Sequence, residues 1–162
     1  MRLGSYEVLE EIGSGGMASV YRARQASVDR DVAIKVLHKS VDGKDESILR
    51  FQREARLIAR LEHPHILPVY DFDGSHNPPY IVMRYLSGGT LKEVISRGQL
   101  PFDEVGFLMR QLGAALDYAH RQGVIHRDIK PSNIMIDRDG NTFVTDFGIA
   151  RITDSSKTKT GM

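Results

Sequence analysis

The sequence predicts an α+β fold, with a small antiparallel sheet and one helix first and a mainly helical part after it. Three observations lead there. Strand-like runs crowd the first 85 residues, and a glycine-rich turn joins the first two of them. One amphipathic stretch, Lys44 to Leu61, interrupts those runs with apolar residues spaced by three and four. A longer one, Asp103 to Gln122, dominates the rest of the chain.

The 162 residues suffice for one domain with a packed core. Apolar residues make up 41% and charged residues 27%, as in an ordinary soluble protein. A net charge of +1 carries no nucleic-acid footprint. The absence of cysteine excludes disulfides, thiolate metal sites and cysteine nucleophiles. No apolar run approaches membrane-spanning length, and Met1-Arg2-Leu3-Gly4-Ser5 is not a signal peptide. A cytoplasmic location is expected, with membrane attachment of a longer product left open.

Tyr6 to Ile12 alternates imperfectly and reads as a strand, Gly13 to Ala18 as a turn, and Ser19 to Arg24 as the returning strand. Glycines at 13, 15 and 16 would let backbone N–H groups approach phosphate oxygens without a Cβ in the way. They also suit an ordinary tight turn. They are not a Walker loop, because no G-K-[ST] comes after them, nor a dinucleotide fingerprint, because a strand stands where a helix is needed.

Asp31 to Leu37 is a third strand, apolar from Val32 onward except for Lys35. Such a lysine either points to solvent from an edge strand or is buried with an acid and phosphates, since an unpaired buried ammonium is costly. In the helix from Lys44 to Leu61, the stripe is Ile48, Phe51, Ala55, Ile58 and Leu61. Glu54 adjoins it, as a solvated charge or as the partner of a cation. His63-Pro64-His65 has no third ligand nearby and reads as a loop. Ile66 to Phe72 and Tyr80 to Tyr85 are two further strands, joined by the turn Gly74 to Pro79. Met83-Arg84-Tyr85-Leu86 then runs into Ser87-Gly88-Gly89, a connector between two lobes.

Thr90 to Arg97 is a short helix with Thr90 as N-cap. In the helix from Asp103 to Gln122, the expected buried face is Val105, Leu108, Met109, Leu112, Leu116 and Ala119. Asp103 is expected to cap its start and Gly123 to close its end. Ile134 to Ile136 and Thr142 to Val144 flank Asp137-Arg138-Asp139-Gly140-Asn141, a hairpin signal that returns Asp146 beside Asn133. Ile149 to Met162 is polar, holds five hydroxyl residues and reads as a flexible loop.

Between these elements lies His126-Arg127-Asp128-Ile129-Lys130-Pro131-Ser132-Asn133. Pro131 forbids a regular helix or ladder, so the segment should be a rigid loop. Asp128 can orient a hydroxyl and accept its proton, Lys130 can neutralise phosphate charge, and Asn133 offers an amide oxygen to a cation. Standing alone, the first three residues would be a surface charge cluster.

With Asp146-Phe147-Gly148 thirteen residues after Asn133, the segment resembles the catalytic loop and metal-binding turn of protein kinases. Gly13 to Val20, Val32 to Lys35 and Glu54 stand upstream in that family's order. The resemblance runs from about Tyr6 to the last residue. It is strongest to bacterial serine/threonine members (Hanks-type), especially in Gly16-Met17-Ala18-Ser19-Val20-Tyr21-Arg22-Ala23. It departs at Ala18, where the family has a third glycine, and at Arg84, where it often has an acid.

The resemblance implies a protein-kinase-like α+β fold: residues 6–86 as N-lobe and hinge, and 87–162 as the first half of a mainly helical C-lobe ending in the activation loop. It implies ATP and Mg²⁺, with γ-phosphoryl transfer to serine or threonine of protein substrates. Ile12, Gly13, Ser14, Gly15, Gly16, Met17, Ala18, Ser19 and Val20 would cover the nucleotide. Lys35 would hold the α and β phosphates and Glu54 would position Lys35. Met83 would back the adenine, with the backbone of Arg84 and Leu86 at its edge. Asn133 and Asp146 would hold Mg²⁺, Asp128 would orient the acceptor hydroxyl, and Lys130 would contact the transferred phosphate. Lys130-Pro131 favours serine and threonine over tyrosine. Arg127 would pair with phosphate on Thr158 or Thr160, placed there by autophosphorylation in trans.

Two other classes compete: a small-molecule phosphotransferase of related fold, and a non-catalytic nucleotide-binding or interaction module. The family's A-P-E sequence and the helices after it are not in the chain. A polypeptide ending at Met162 is therefore expected to be poorly soluble, to bind ATP weakly and to transfer no phosphate.

Overall fold

The computed structural model describes residues 1–16, 18–38 and 45–147, and in the helix that begins at Asp45 it leaves aside the side chains of 45–48, 50 and 51. Met17, Ile48, Phe51, Gly148, Thr158 and Thr160 therefore carry expectations that lie outside the described residues. The described residues form two units, 1–59 with 69–85, and 60–68 with 86–147.

The first unit is a six-stranded antiparallel sheet. Its strands are β1 (Arg2–Leu3), β2 (Tyr6–Ser14), β3 (Ala18–Gln25), β4 (Arg30–Leu37), β5 (Val69–Asp73) and β6 (Tyr80–Arg84), in the order β1-β2-β3-β4-β6-β5. Strand β4 has neighbours on both sides, so the edge-strand reading of Lys35 is wrong. Strand β1 went unforeseen because two residues carry no period.

Tyr21, Ala23, Val32, Ile34, Val36, Tyr80 and Val82 meet on one face of the sheet, closed by Leu3 and Tyr6 from its edge. The Tyr6 hydroxyl donates to Asp71 at 3.1 Å. Burial, then the adjacent Asp71 carboxylate, push the Tyr6 phenol up to about 12. Helix α1 (Asp45–Ala59) packs against β5, with Ala55 and Ile58 buried as its stripe requires.

Ile66 does not begin strand β5. Pro68 lacks the N–H that a ladder needs, and pairing starts only at Val69. Ile66 instead bridges Val144, and the Leu67 amide donates to the Val144 carbonyl at 2.9 Å.

The second unit holds α2 (Leu91–Ser96), α3 (Phe102–Arg121) and a hairpin of β7 (Ile134–Ile136) with β8 (Thr142–Val144). Thr90 caps α2 in a reciprocal box with Glu93. Pro101, not Asp103, occupies the N-cap of α3, and no side chain caps it. Asp103 lies two positions past the cap, in the first turn, where its charge still meets the positive end of the helix. Gly123 closes the helix at φ +78°, as expected.

The buried stripe of α3 is Leu108, Leu112, Ala115 and Ala119. Val105 and Met109 were expected in it but are exposed, Met109 by 62%. Apolar residues cover more of this helix than one neighbour can bury, so periodicity alone selects too wide a face. Buried Gln111 adds a polar tie that no apolar pattern shows. Its Oε1 accepts from the Thr142 amide at 2.9 Å and from the Thr142 hydroxyl at 2.6 Å, fastening α3 to β8.

Candidate active site

In the first unit the register gathers the residues expected around a nucleotide. Val20 pairs with Lys35, Lys35 with Ile81, and Ala33 with Met83. Paired residues share a face, so Val20, Ala33, Lys35, Ile81 and Met83 line one side of the sheet, opposite the cluster around Ile34. Lys35 and Glu54 are both half-buried, while Arg84 is exposed at the end of β6.

Strands β2 and β3 end in the expected hairpin, whose last rung is Ser14 with Ser19. The Gly15 amide donates to the Ala18 carbonyl at 2.9 Å. None of Gly13, Gly15 and Gly16 has a left-handed backbone, and a Cβ on any of them would meet no protein atom nearer than 3.9 Å. The turn itself therefore does not require glycine there.

In the second unit a short 3-10 turn, Pro131–Asn133, comes after the loop and leads directly into β7. Asn133 is buried, 6% exposed. Its side-chain amide donates to the Asp128 carbonyl at 2.9 Å and to Asp128 Oδ2 at 3.2 Å. With the nitrogen turned to Asp128, the planar amide directs Oδ1 the other way. Lys130 Nζ lies 3.3 Å from the same Asp128 Oδ2, and both side chains are about half exposed.

The β7–β8 ladder pairs Ile134 with Val144, and past it the Thr145 amide donates to the Asn133 carbonyl at 3.0 Å. Asp146 is the next residue, so the hairpin brings it back to the Asn133 end of the ladder as expected. The turn is tight because Asp137 Oδ1 accepts from the amides of Asp139 and Asn141, and Gly140 takes φ +80°.

Three features escaped the sequence reading. His126 is 1% exposed. Its Nδ1 accepts from the Asp128 amide at 3.1 Å, which leaves Nε2 to donate to the Thr145 carbonyl at 2.7 Å. Its ring also lies 4.6 Å from that of buried Phe147. One imidazole thus ties the backbone of the Asp128 loop to the segment carrying Asp146. Arg127 at φ +69° and Asp146 at φ +60° are the other two, both left-handed without being glycine. Such strain persists where the surroundings fix it, and it clusters at functional sites. No residue type announces it.

Residues 6–162 match the protein kinase domain family. The chain belongs to that family. It is 46% identical over 154 residues to the serine/threonine-protein kinase PrkC of Bacillus subtilis, covering 94% of this chain and 24% of that protein. It is 42% identical over 161 residues to PknL of Mycobacterium tuberculosis, covering 97% of this chain and 40% of the relative. The crystal structure of the Mycobacterium tuberculosis PknI kinase domain superposes with a TM-score of 0.80 at 35% identity, covering 92% of this chain and 62% of that one. The chain thus spans 24% of one of these curated relatives and 40% of the other.

The oxygen donors around Asp128 suit a kinase's hard divalent cation. Among the described residues no three His, Cys, Asp or Glu groups cluster. A cation held by Asp146 and Asn133 would complete its shell from phosphate and water, the usual habit of Mg²⁺. No described helix is long and apolar enough to cross a membrane.

Proposed function

We propose that this chain binds Mg-ATP and serves transfer of its γ-phosphoryl group to serine or threonine side chains of proteins. The observation that carries the reading is the joint placement of Asp128, Lys130 and Asn133 on one hydrogen-bonded loop, beside the ladder that returns Asp146. Phosphoryl transfer needs positioned charge more than covalent help, and this loop positions charge.

The Asp128 carboxylate orients the acceptor hydroxyl and takes up its proton as the oxygen bonds to the γ-phosphorus, while the bond from that phosphorus to the β–γ bridging oxygen breaks and ADP leaves. Lys130, beside that carboxylate, steadies the oxygens of the group in transit. Asn133 Oδ1 and the Asp146 carboxylate would hold Mg²⁺, which would supply neutralisation of phosphate charge. Lys35, paired with Glu54, holds the α and β phosphates from the sheet face that Val20 and Met83 share. The hairpin tip covers the phosphates with the Gly16 amide, while the Gly15 amide closes the turn on the Ala18 carbonyl. Arg127 pairs with phosphate added to Thr158 or Thr160, which switches the site on.

The decisive experiment compares residues 1–162 with a chimera that continues into the remaining kinase-domain residues of PrkC. The chimera should phosphorylate a protein acceptor with Mg-ATP, and Asp128→Asn should abolish this. Transfer that survives Asp128→Asn, or none by the chimera, overturns the reading. Phosphopeptide mapping of the incubated chimera should find Thr158 or Thr160, and phosphate confined outside Ser155 to Thr160 removes the switch.

A further inference from the structure

Behind the glycine hairpin, on the face opposite Lys35, lies a hydrogen-bonded line that the proposed site does not use. Ser14 and Ser19 are the last paired residues of β2 and β3. Their hydroxyl oxygens lie 3.3 Å apart. Ser19 Oγ lies 2.7 Å from Nε2 of His38, the residue just past β4. Ser19 is buried, while Ser14 and His38 are exposed. The line therefore crosses three strands, with its ends wet and its middle dry.

The register fixes which side it occupies. Ser19 pairs with Val36 and Val20 with Lys35. Successive residues of a strand face opposite ways, so Ser19 sits with Tyr21 and Val36, and Val20 with Lys35. The three side chains brace the hairpin from behind and leave its phosphate face open. Ser19 has one hydroxyl hydrogen and two acceptor lone pairs, so it can donate to one neighbour and accept from the other, or accept from both. A group at position 38 that can donate or accept satisfies this, and a methyl group satisfies neither.

We propose that His38 is a positioning residue for nucleotide binding, acting through Ser19 and Ser14 to hold the glycine hairpin in its phosphate-binding form. This inference rests on the proposed nucleotide site. A tip in which Gly13, Gly15 and Gly16 flank a single serine is entropically costly to order. The second strand pair, Ala18 with Leu37, supports only the β3 side of the tip. The β2 side is tied across by the Gly15 amide on the Ala18 carbonyl and by the Ser14 side chain, which is held through Ser19 and His38. Ordering the tip before the nucleotide arrives removes part of the cost of binding.

The test titrates Mg-ATP into residues 1–162 by calorimetry, for the unsubstituted chain and for His38→Ala, Ser19→Ala, His38→Gln and Lys35→Met. Breaking one such hydrogen bond should weaken affinity by about three- to tenfold in His38→Ala and in Ser19→Ala. The amide nitrogen of His38→Gln can take the place of Nε2, so affinity should return to within about twofold of the unsubstituted chain. A merely structural role would move melting temperature and would not be rescued in affinity by glutamine. Equal Kd values for the unsubstituted chain, His38→Ala and Ser19→Ala overturn this inference alone. Failure of the unsubstituted chain to bind Mg-ATP, or binding untouched by Lys35→Met, overturns the nucleotide reading and this inference with it.

Discussion

The Asn133 side-chain amide donates twice to Asp128, once to its carbonyl and once to its carboxylate. The residue proposed to hold the cation is thus also the one that aims the proposed base. The two roles use different ends of one amide, so substitution at 133 removes both together.

Asn133→Ala should unsettle the loop as well as the cation site. The Asp128 carbonyl loses its donor in a partly buried setting, a loss of about 1 kcal/mol. Thermal melting of the apo chain should show a drop of several degrees. Asp128→Asn should melt close to the unsubstituted chain, because Asp128 is half exposed. Equal melting of the two variants would contradict the arrangement.

Lys35→Met should reduce transfer by about a hundredfold or more in the active chimera, since it removes the charge aimed at the phosphates. The thermal midpoint should change little, because methionine keeps the apolar stem that packs in β4. Undiminished transfer would take Lys35 out of the site.

Two glycines should respond in opposite directions to alanine. A Cβ at Gly88 would run into the backbone carbonyl of Ile136, next to the bond from the Ile136 amide to the Gly89 carbonyl. Gly88→Ala should cost about 1–3 kcal/mol as overpacking. Gly113 faces open space on α3, so Gly113→Ala should stabilise by about 0.5–1 kcal/mol. Urea unfolding of both variants checks the signs.

Stability should fall as the medium becomes more acid than the ordinary histidine value of 6.5, in part through His63. Burial, then the neighbouring His65 and Arg121, hold the His63 imidazole below that value. Below 6.5 the unfolded chain takes up a proton that the folded one refuses, so unfolding gains ground until the folded group also titrates. At neutral pH the contribution is complete. His63→Gln should flatten this part of the profile of denaturant midpoint against pH. An unchanged slope between pH 7 and 5 would show that other groups set it.

Much of this was legible because its signals are local. The glycine hairpin, the β7–β8 turn, the Thr90 cap and the Ala55–Ile58 stripe each arise from residues close in sequence. The proposed site was legible as residue types at fixed spacing. The features that stayed hidden depend on partners distant along the chain. Gln111 meets Thr142 across 31 positions, and His126 meets Thr145 across 19. Ile66 lies outside β5 and bridges Val144 within the second unit, which its own apolar neighbourhood does not disclose. The exposed Val105 and Met109 look the same in sequence as Leu108 and Leu112, since hydropathy says which residues avoid water and not which find a neighbour.

Because β4 is laddered on both flanks, it also behaves as a ruler with a two-residue tick. Inserting or deleting one residue between Arg30 and Lys35 would turn Lys35 to the far side of the sheet, among Ile34's neighbours, while leaving the composition almost unchanged. A length change of the same size in the turn from Gly74 to Pro79, between β5 and β6, shifts no such alternation. Length variation in the wider family should therefore be frequent in that turn and nearly absent from the six positions that end at Lys35.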